Sequence, residues 1–217
     1  MKKILLGLFV LGTLGMAQQN YEVFVKNGVK ISQSEVDRDS KEIENTVNKM
    51  INDYETRDKK IMLEKSRIMF LRNMKNQYHN NNNYYIKDIE FFDKMSEVMA
   101  NEMITGLSKS KYVPKSISFT GKNIAKVEII EILPDFNNLS GGDEDVEKAG
   151  VTDEEINNLE HISDLNNQKR EKILKYLGEE LRKQISETTE ESNVLEFRKV
   201  NGKWETKDKL YDLSEFK

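Results

Sequence analysis

The apolar positions of this chain change rhythm near its middle. From Val29 to Thr105 there is no glycine, and no proline occurs before Pro114. Within that stretch Val36, Ile43, Val47, Met50, Tyr54, Ile61, Ile68, Leu71 and Tyr78 are spaced by sums of threes and fours, which traces one helical stripe. Arg57, Glu64 and Lys75 fall on the same seam, so packed amphipathic helices are favoured over a projecting coiled coil. One continuous helix over residues 35–78 would run about 65 Å at 1.5 Å per residue, and a bend is expected in the charge-rich residues 55–60. The four asparagines at 80–83 predict a loop. Ile89, Phe92, Met95, Met99, Met103 and Leu107 stripe a further helix, closed by Gly106, Lys109 and Lys111.

After Pro114 the period falls to two. Ile117 and Phe119, the turn Gly121-Lys122-Asn123, then Ala125, Val127 and Ile129 read as a hairpin whose second strand stops at Pro134. Thr152 with Glu155 predicts a helix cap, and Ile173, Leu177, Leu181 and Ile185 stripe another helix. Residues 194–200, the turn Asn201-Gly202 and residues 203–206 form a last hairpin, where Trp204, the only tryptophan, can cover one sheet face. Leu210, Leu213 and Phe216 close the chain as a short helix or tail. Near the N-terminus, Tyr21, Val23 and Val25 precede Asn27-Gly28 and then Val29 and Ile31, which predicts one more hairpin, with Ser32 and Glu35 as the capping box of the first helix.

The expected fold class is α+β. Long N-terminal amphipathic helices pack with a curved, mainly four-stranded antiparallel sheet, and a helical insertion separates the two C-terminal hairpins. Residues 1–17 read as a leader, 18–84 as an N-terminal hairpin and helical region, and 85–217 as an α+β domain.

The C-terminal part carries a resemblance. An alternating strand ending in Leu133-Pro134-Asp135, a helical insertion, and strands joined by Val200-Asn201-Gly202-Lys203-Trp204 resemble small exported bacterial domains of the cystatin-like class. These belong with the nuclear transport factor two-like folds, and the resemblance, over roughly residues 85–210, implies a curved sheet wrapping a helix. Family enzymes use polar residues in the sheet's concavity, and no matching motif places such residues here. Many exported members are lipoproteins, whereas this chain has no cysteine to carry a lipid. A shorter stretch, from Asn27-Gly28-Val29 to Glu35-Val36-Asp37, is similar to the opening of parvulin-type periplasmic chaperones, where a hairpin leads into the first chaperone helix.

The first residues set the expected destination. Lys2 and Lys3, an apolar run over residues 4–14, and Gly15-Met16-Ala17 have the layout of a secretory signal peptide cleaved near Ala17. The run is too short to span a bilayer, which takes about twenty residues. The expectation is a periplasmic or secreted protein with no membrane span and no lipid anchor. With no cysteine, disulfides, thiolate metal sites and cysteine nucleophiles are excluded. A formal charge of −4 and a pI near 5.5 argue against whole-chain nucleic-acid binding.

Chemistry-bearing constellations are few, and the expected function is non-catalytic binding without a cofactor. No serine sits in a nucleophile-elbow sequence, and the Gly141-Gly142 pair opens onto acids that repel phosphate. His79 lies beside the asparagine run and reads as solvated. His161, with Asp164 and Glu154, has too few nitrogen or sulfur partners for a zinc or iron site. Asp143, Asp145, Glu147 and Glu154 hold positions 1, 3, 5 and 12 of a calcium-type loop, but Lys148 stands where that loop needs glycine. The acidic segment therefore reads as a solvated surface loop, with calcium as its alternative.

Residues 57–75 carry seven basic and two acidic side chains interleaved with Ile61, Ile68, Phe70 and Leu71. Such a helix either packs on a core with a charged outer face or grips an acidic partner or anionic membrane. Met95, Met99 and Met103 repeat along the next stripe, as core packing or as an adaptable binding surface. Trp204, Met95, Met99 and Met103 are thus the ligand-binding candidates, for another envelope protein or a small apolar ligand. The alternative function is a periplasmic chaperone or envelope-assembly factor using the N-terminal helices as a clamp.

Overall fold

A computed structural model describes residues 21–79, 86–136, 149–152, 154–155 and 160–211 of the 217-residue chain. The fold is mixed α+β. Five strands form one sheet in the order β1-β2-β3-β4-β5: β1 (Glu22–Val25), β2 (Lys111–Gly121), β3 (Ile124–Pro134), β4 (Thr188–Val200) and β5 (Lys203–Thr206). The helices are α1 (Gln33–Asp53), α2 (Lys59–His79), α3 (Ile86–Leu107) and α4 (Asn167–Gln184). The expected leader, the asparagine run, Gly141-Gly142, and Leu213 and Phe216 lie outside the described residues.

Both C-terminal hairpins form. Between β4 and β5, Asn201 and Gly202 take φ of 52° and 83°, the left-handed pair that a two-residue turn requires. Lys199 pairs with Trp204 across it. The β2–β3 loop is equally short, so those strands are antiparallel. Bonds from Lys199 to Asn123 and from Asp135 to Glu187 run in opposite senses along β3 and β4, which makes that pair antiparallel too. Strand β4 begins at Thr188, earlier than the expected 194, because its polar first residues are exposed and carry no alternation to read.

The N-terminal hairpin does not form. Gly28 makes a turn at φ 89°, with Val29 N–H donating to the Lys26 carbonyl, but the chain then enters α1 directly. The Ser32 capping box explains why. Ser32 N–H donates to Glu35 Oε2 at 2.9 Å, and Glu35 N–H donates to Ser32 Oγ at 3.3 Å, so a helix begins where a return strand would have to continue. Strand β1 instead joins β2 in parallel, with Val23 beside Ile117 and Val25 beside Phe119. The sheet is therefore five-stranded and mixed, where four antiparallel strands were expected. Pro114 is tolerated because β1 lies beside only Ser116–Phe119, so no ladder bond is asked of it from that side.

The chain divides into two compact units, neither contiguous in sequence. One comprises residues 21–52, Tyr112–Glu131 and Ser192–Leu210; the other comprises Asp53–Lys111, Ile132–Glu191 and Tyr211. In the first, Val36, Ile43 and Val47 of α1 are buried, as are Ile117, Phe119, Ala125, Val127, Leu195, Phe197 and Trp204 of the sheet. In the second, α2 packs on α3 and α3 on α4. The core there joins Phe91, Val151, Leu165, Ile173 and Leu174. Lys75 and His79 both meet Asp93, and Arg67 meets Asn101, so α2 and α3 run antiparallel. His79 is exposed, as expected for a solvated residue, and also meets Asp93.

The expected interruption at residues 55–60 is a π-helical turn, Tyr54–Asp58, in which Lys59 N–H donates to the carbonyl of Tyr54, five residues back. This extra residue shifts the phase of the buried stripe. Val36, Ile43, Val47 and Tyr54 are buried as the spacing predicts, but beyond the turn Met62 and Ser66 are buried instead, and Ile68 faces out.

Candidate functional site

The candidates from the sequence fall in different places. Trp204 is 3% exposed and packs edge-on against Phe119 at 5.8 Å between ring centroids, while its backbone N–H donates to Glu42 Oε1 of α1. Its ring belongs to the core of the first unit, on the sheet face that α1 covers. Met95, Met99 and Met103 are half-buried along α3, and Met95 packs against the cluster around Phe91 and Ile173. Of the calcium-type acids, Asp143, Asp145 and Glu147 lie outside the described residues, and Glu154 is exposed. No three acids or histidines among the described residues converge as metal ligands.

The polar clusters are satisfied largely from within, although the buried Trp204 Nε1 has no hydrogen-bond partner among the described residues. Asp39 of α1, with 2% of its side chain exposed, holds Lys199 of β4 through both carboxylate oxygens at 2.9 and 2.7 Å, and Arg38 adds a third contact. Burial by itself pushes the Asp39 carboxyl up. The bonds and charges of Lys199 and Arg38, with the Trp204 indole acting the same way, outweigh it and hold Asp39 below the usual carboxylate range. Elsewhere on α1, Asn48 accepts from the Tyr21 hydroxyl, and burial, then Glu44, raises that phenol. On β3, Glu128 accepts from Lys115 and Ser192, which lowers its pKa.

In the second unit, Asp88 in the first turn of α3 accepts from Ser163 N–H at 2.8 Å and meets His161 Nδ1 at 3.1 Å. His161 and Asp164 also cap the short 3-10 turn Ile162–Asp164, so this histidine ties that turn to the start of α3. Lys59, brought into line with Tyr54 by the π turn, donates to the Ser110 carbonyl at 2.6 Å and to Glu55 at 2.9 Å. It lies 5.9 Å over the Tyr54 ring, whose hydroxyl meets Ser110 Oγ. A cation held against the carbonyls just beyond α3 is stabilising whether or not a ligand is present.

The groove between α3 and α4, about 610 Å³, is open and charged. Arg182 forms two bonds to Glu102, at 2.9 and 2.5 Å, while Lys94 faces Glu171 and Lys175 faces Glu179. Its floor is closed by Gly178, whose Cα approaches Val98 so closely that a Cβ there would stand 3.0 Å from Val98 Cγ1. The cations of this groove already have carboxylate partners.

The outer face of α2 is different. Lys65, Ile68, Met69 and Arg72 follow the three-and-four spacing of one helical side. Ile68 is 57% and Met69 46% exposed, the two most exposed large apolar residues of the described helices. Lys59, Arg57 and Lys75 pair with Glu55, Asp58 and Asp93. Lys60, Lys65 and Arg72 meet no acid among the described residues, and Arg67 meets only the neutral amide of Asn101. The sequence marked this basic segment but not which side of it faces solvent, because the π turn that sets the side leaves no periodic signature. No protein-family model, curated protein or solved structure matches the chain.

Proposed function

We propose that the chain is an exported, non-catalytic interaction protein of the bacterial envelope, and that the outer face of α2 is its contact surface. One observation carries the reading: two large apolar side chains stand in solvent among cations that meet no acid among the described residues. A helix that is apolar on two sides wants partners on two sides, and α3 supplies one of them. The alternating buried strands with α1 across one face support the cystatin-like reading of the sheet, while parallel β1 departs from it. A small apolar ligand on the Trp204 side would have to occupy space that Phe119 and α1 side chains already fill, so a macromolecular contact is the better-supported occupant.

A photo-crosslinking residue at position 69, introduced into the full chain in its native cell, tests this. The expected result is a discrete adduct, absent when the same residue replaces buried Met62. No adduct with either protein or lipid at position 69 overturns the reading.

The chaperone alternative rests on the same exposed Ile68 and Met69, which a clamp would offer to an unfolded client. It predicts suppression of client aggregation by the full chain, lost in Ile68→Ser/Met69→Ser. No suppression at stoichiometric excess removes it.

A further inference from the structure

We infer that the outer face of α2 docks on an anionic lipid surface, an assignment that rests on the contact surface proposed above and names its occupant. Lys60, Lys65 and Arg72, which meet no acid among the described residues, are spread over about 18 Å of helix at 1.5 Å per residue. Ile68 and Met69 stand between them. On such a surface the two apolar side chains would enter the headgroup boundary while the long basic chains reach back to the phosphates. A fluid anionic surface offers charge at any spacing, so it suits a row of cations on a convex helix. An acidic polypeptide would have to match that spacing residue by residue and avoid Glu64, the one acid on the face. No described helix is long and apolar enough to cross a membrane, so the contact is peripheral. Attraction of this kind weakens with salt, because exposed charges are screened within about 8 Å at physiological ionic strength.

The test uses the full chain and vesicles of neutral phosphatidylcholine, with and without about 30% phosphatidylglycerol, in a sedimentation assay. Because the native sequence has no cysteine, Met69→Cys takes a single environment-sensitive dye. The expected result is binding to the anionic vesicles only, with a blue shift of the dye and loss of binding as salt rises. Each cation contributes roughly a fivefold change in affinity. Lys65→Glu/Arg72→Glu is therefore expected to weaken binding by at least about tenfold, with its circular dichroism unchanged. Lack of binding to anionic vesicles at low salt overturns the inference, as does binding unaffected by the charge reversal or by a dye that stays aqueous. If vesicles fail while the position-69 crosslinker captures a protein, the lipid assignment falls and the contact surface stands. If both fail, both fall.

Discussion

Lys199 Nζ sits 2.7 and 2.9 Å from the two carboxylate oxygens of Asp39, a residue 160 positions earlier, and 5.6 Å from the Trp204 ring centroid. One half-buried cation thereby fastens α1 to β4 and packs beside Trp204. Removing the acid leaves a half-buried ammonium without its charged partner, a loss of about 1.5–3 kcal/mol. Asp39→Ala is expected to lower the urea midpoint strongly, whereas Asp39→Leu/Lys199→Met, which removes both charges, recovers most of the loss. If the single and double variants melt together, the pair contributes no specific stability.

The same carboxylate makes stability depend on acid. Its folded pKa is depressed below the ordinary value of about 3.9, so its contribution is present above that pH and is lost as pH falls through the folded value. Urea midpoints measured from pH 6 down to pH 3 are expected to fall more steeply for the native chain than for Asp39→Asn. The gap between the two curves narrows toward the acid end. Parallel curves would show that other carboxylates govern acid unfolding.

What was legible in the sequence was local. The box at Ser32 and Glu35 and its counterpart at Thr152 and Glu155 are three-residue relationships, and both form as read. Asn201-Gly202 needed only its own φ preferences, and the alternation of Ile117, Phe119, Ala125 and Val127 reported a half-covered sheet. The parallel pairing of β1 was not legible, because its partner Ser116–Phe119 lies beyond three helices and nothing near Val23 encodes it. Nor was the exposure of Ile68, since the π turn moves the buried register from position 61 to 62 without disturbing the spacing of the residues themselves. Trp204 had the chemistry of a binding residue; only the packing of α1 over that face decides otherwise.

The π turn makes its own prediction. By lining Lys59 up with Tyr54, it delivers an ammonium to the Ser110 carbonyl at the end of α3. A charged hydrogen bond of this kind contributes about 1.5–3 kcal/mol. Lys59→Met is expected to destabilise by about 2 kcal/mol in chemical denaturation. Lys60→Met, one residue on and without an acid partner among the described residues, stays within about 0.5 kcal/mol. Equal effects at the two positions would remove the π turn's role in positioning.

Gly178 and Val98 provide the last case. A glycine inside a helix costs about 1 kcal/mol relative to alanine, so Gly178→Ala at an open site would stabilise. Here the new Cβ would stand 3.0 Å from Val98 Cγ1, and a β-branched side chain has little rotamer freedom with which to retreat. The strain should offset the helix-propensity gain, leaving Gly178→Ala neutral or slightly destabilising. In a Val98→Ala background the clash is gone and the propensity gain of about 1 kcal/mol returns. The thermodynamic cycle is therefore non-additive by about 1 kcal/mol, a coupling expected only for residues in contact. Additive effects in urea denaturation would mean that α3 and α4 do not approach at this glycine.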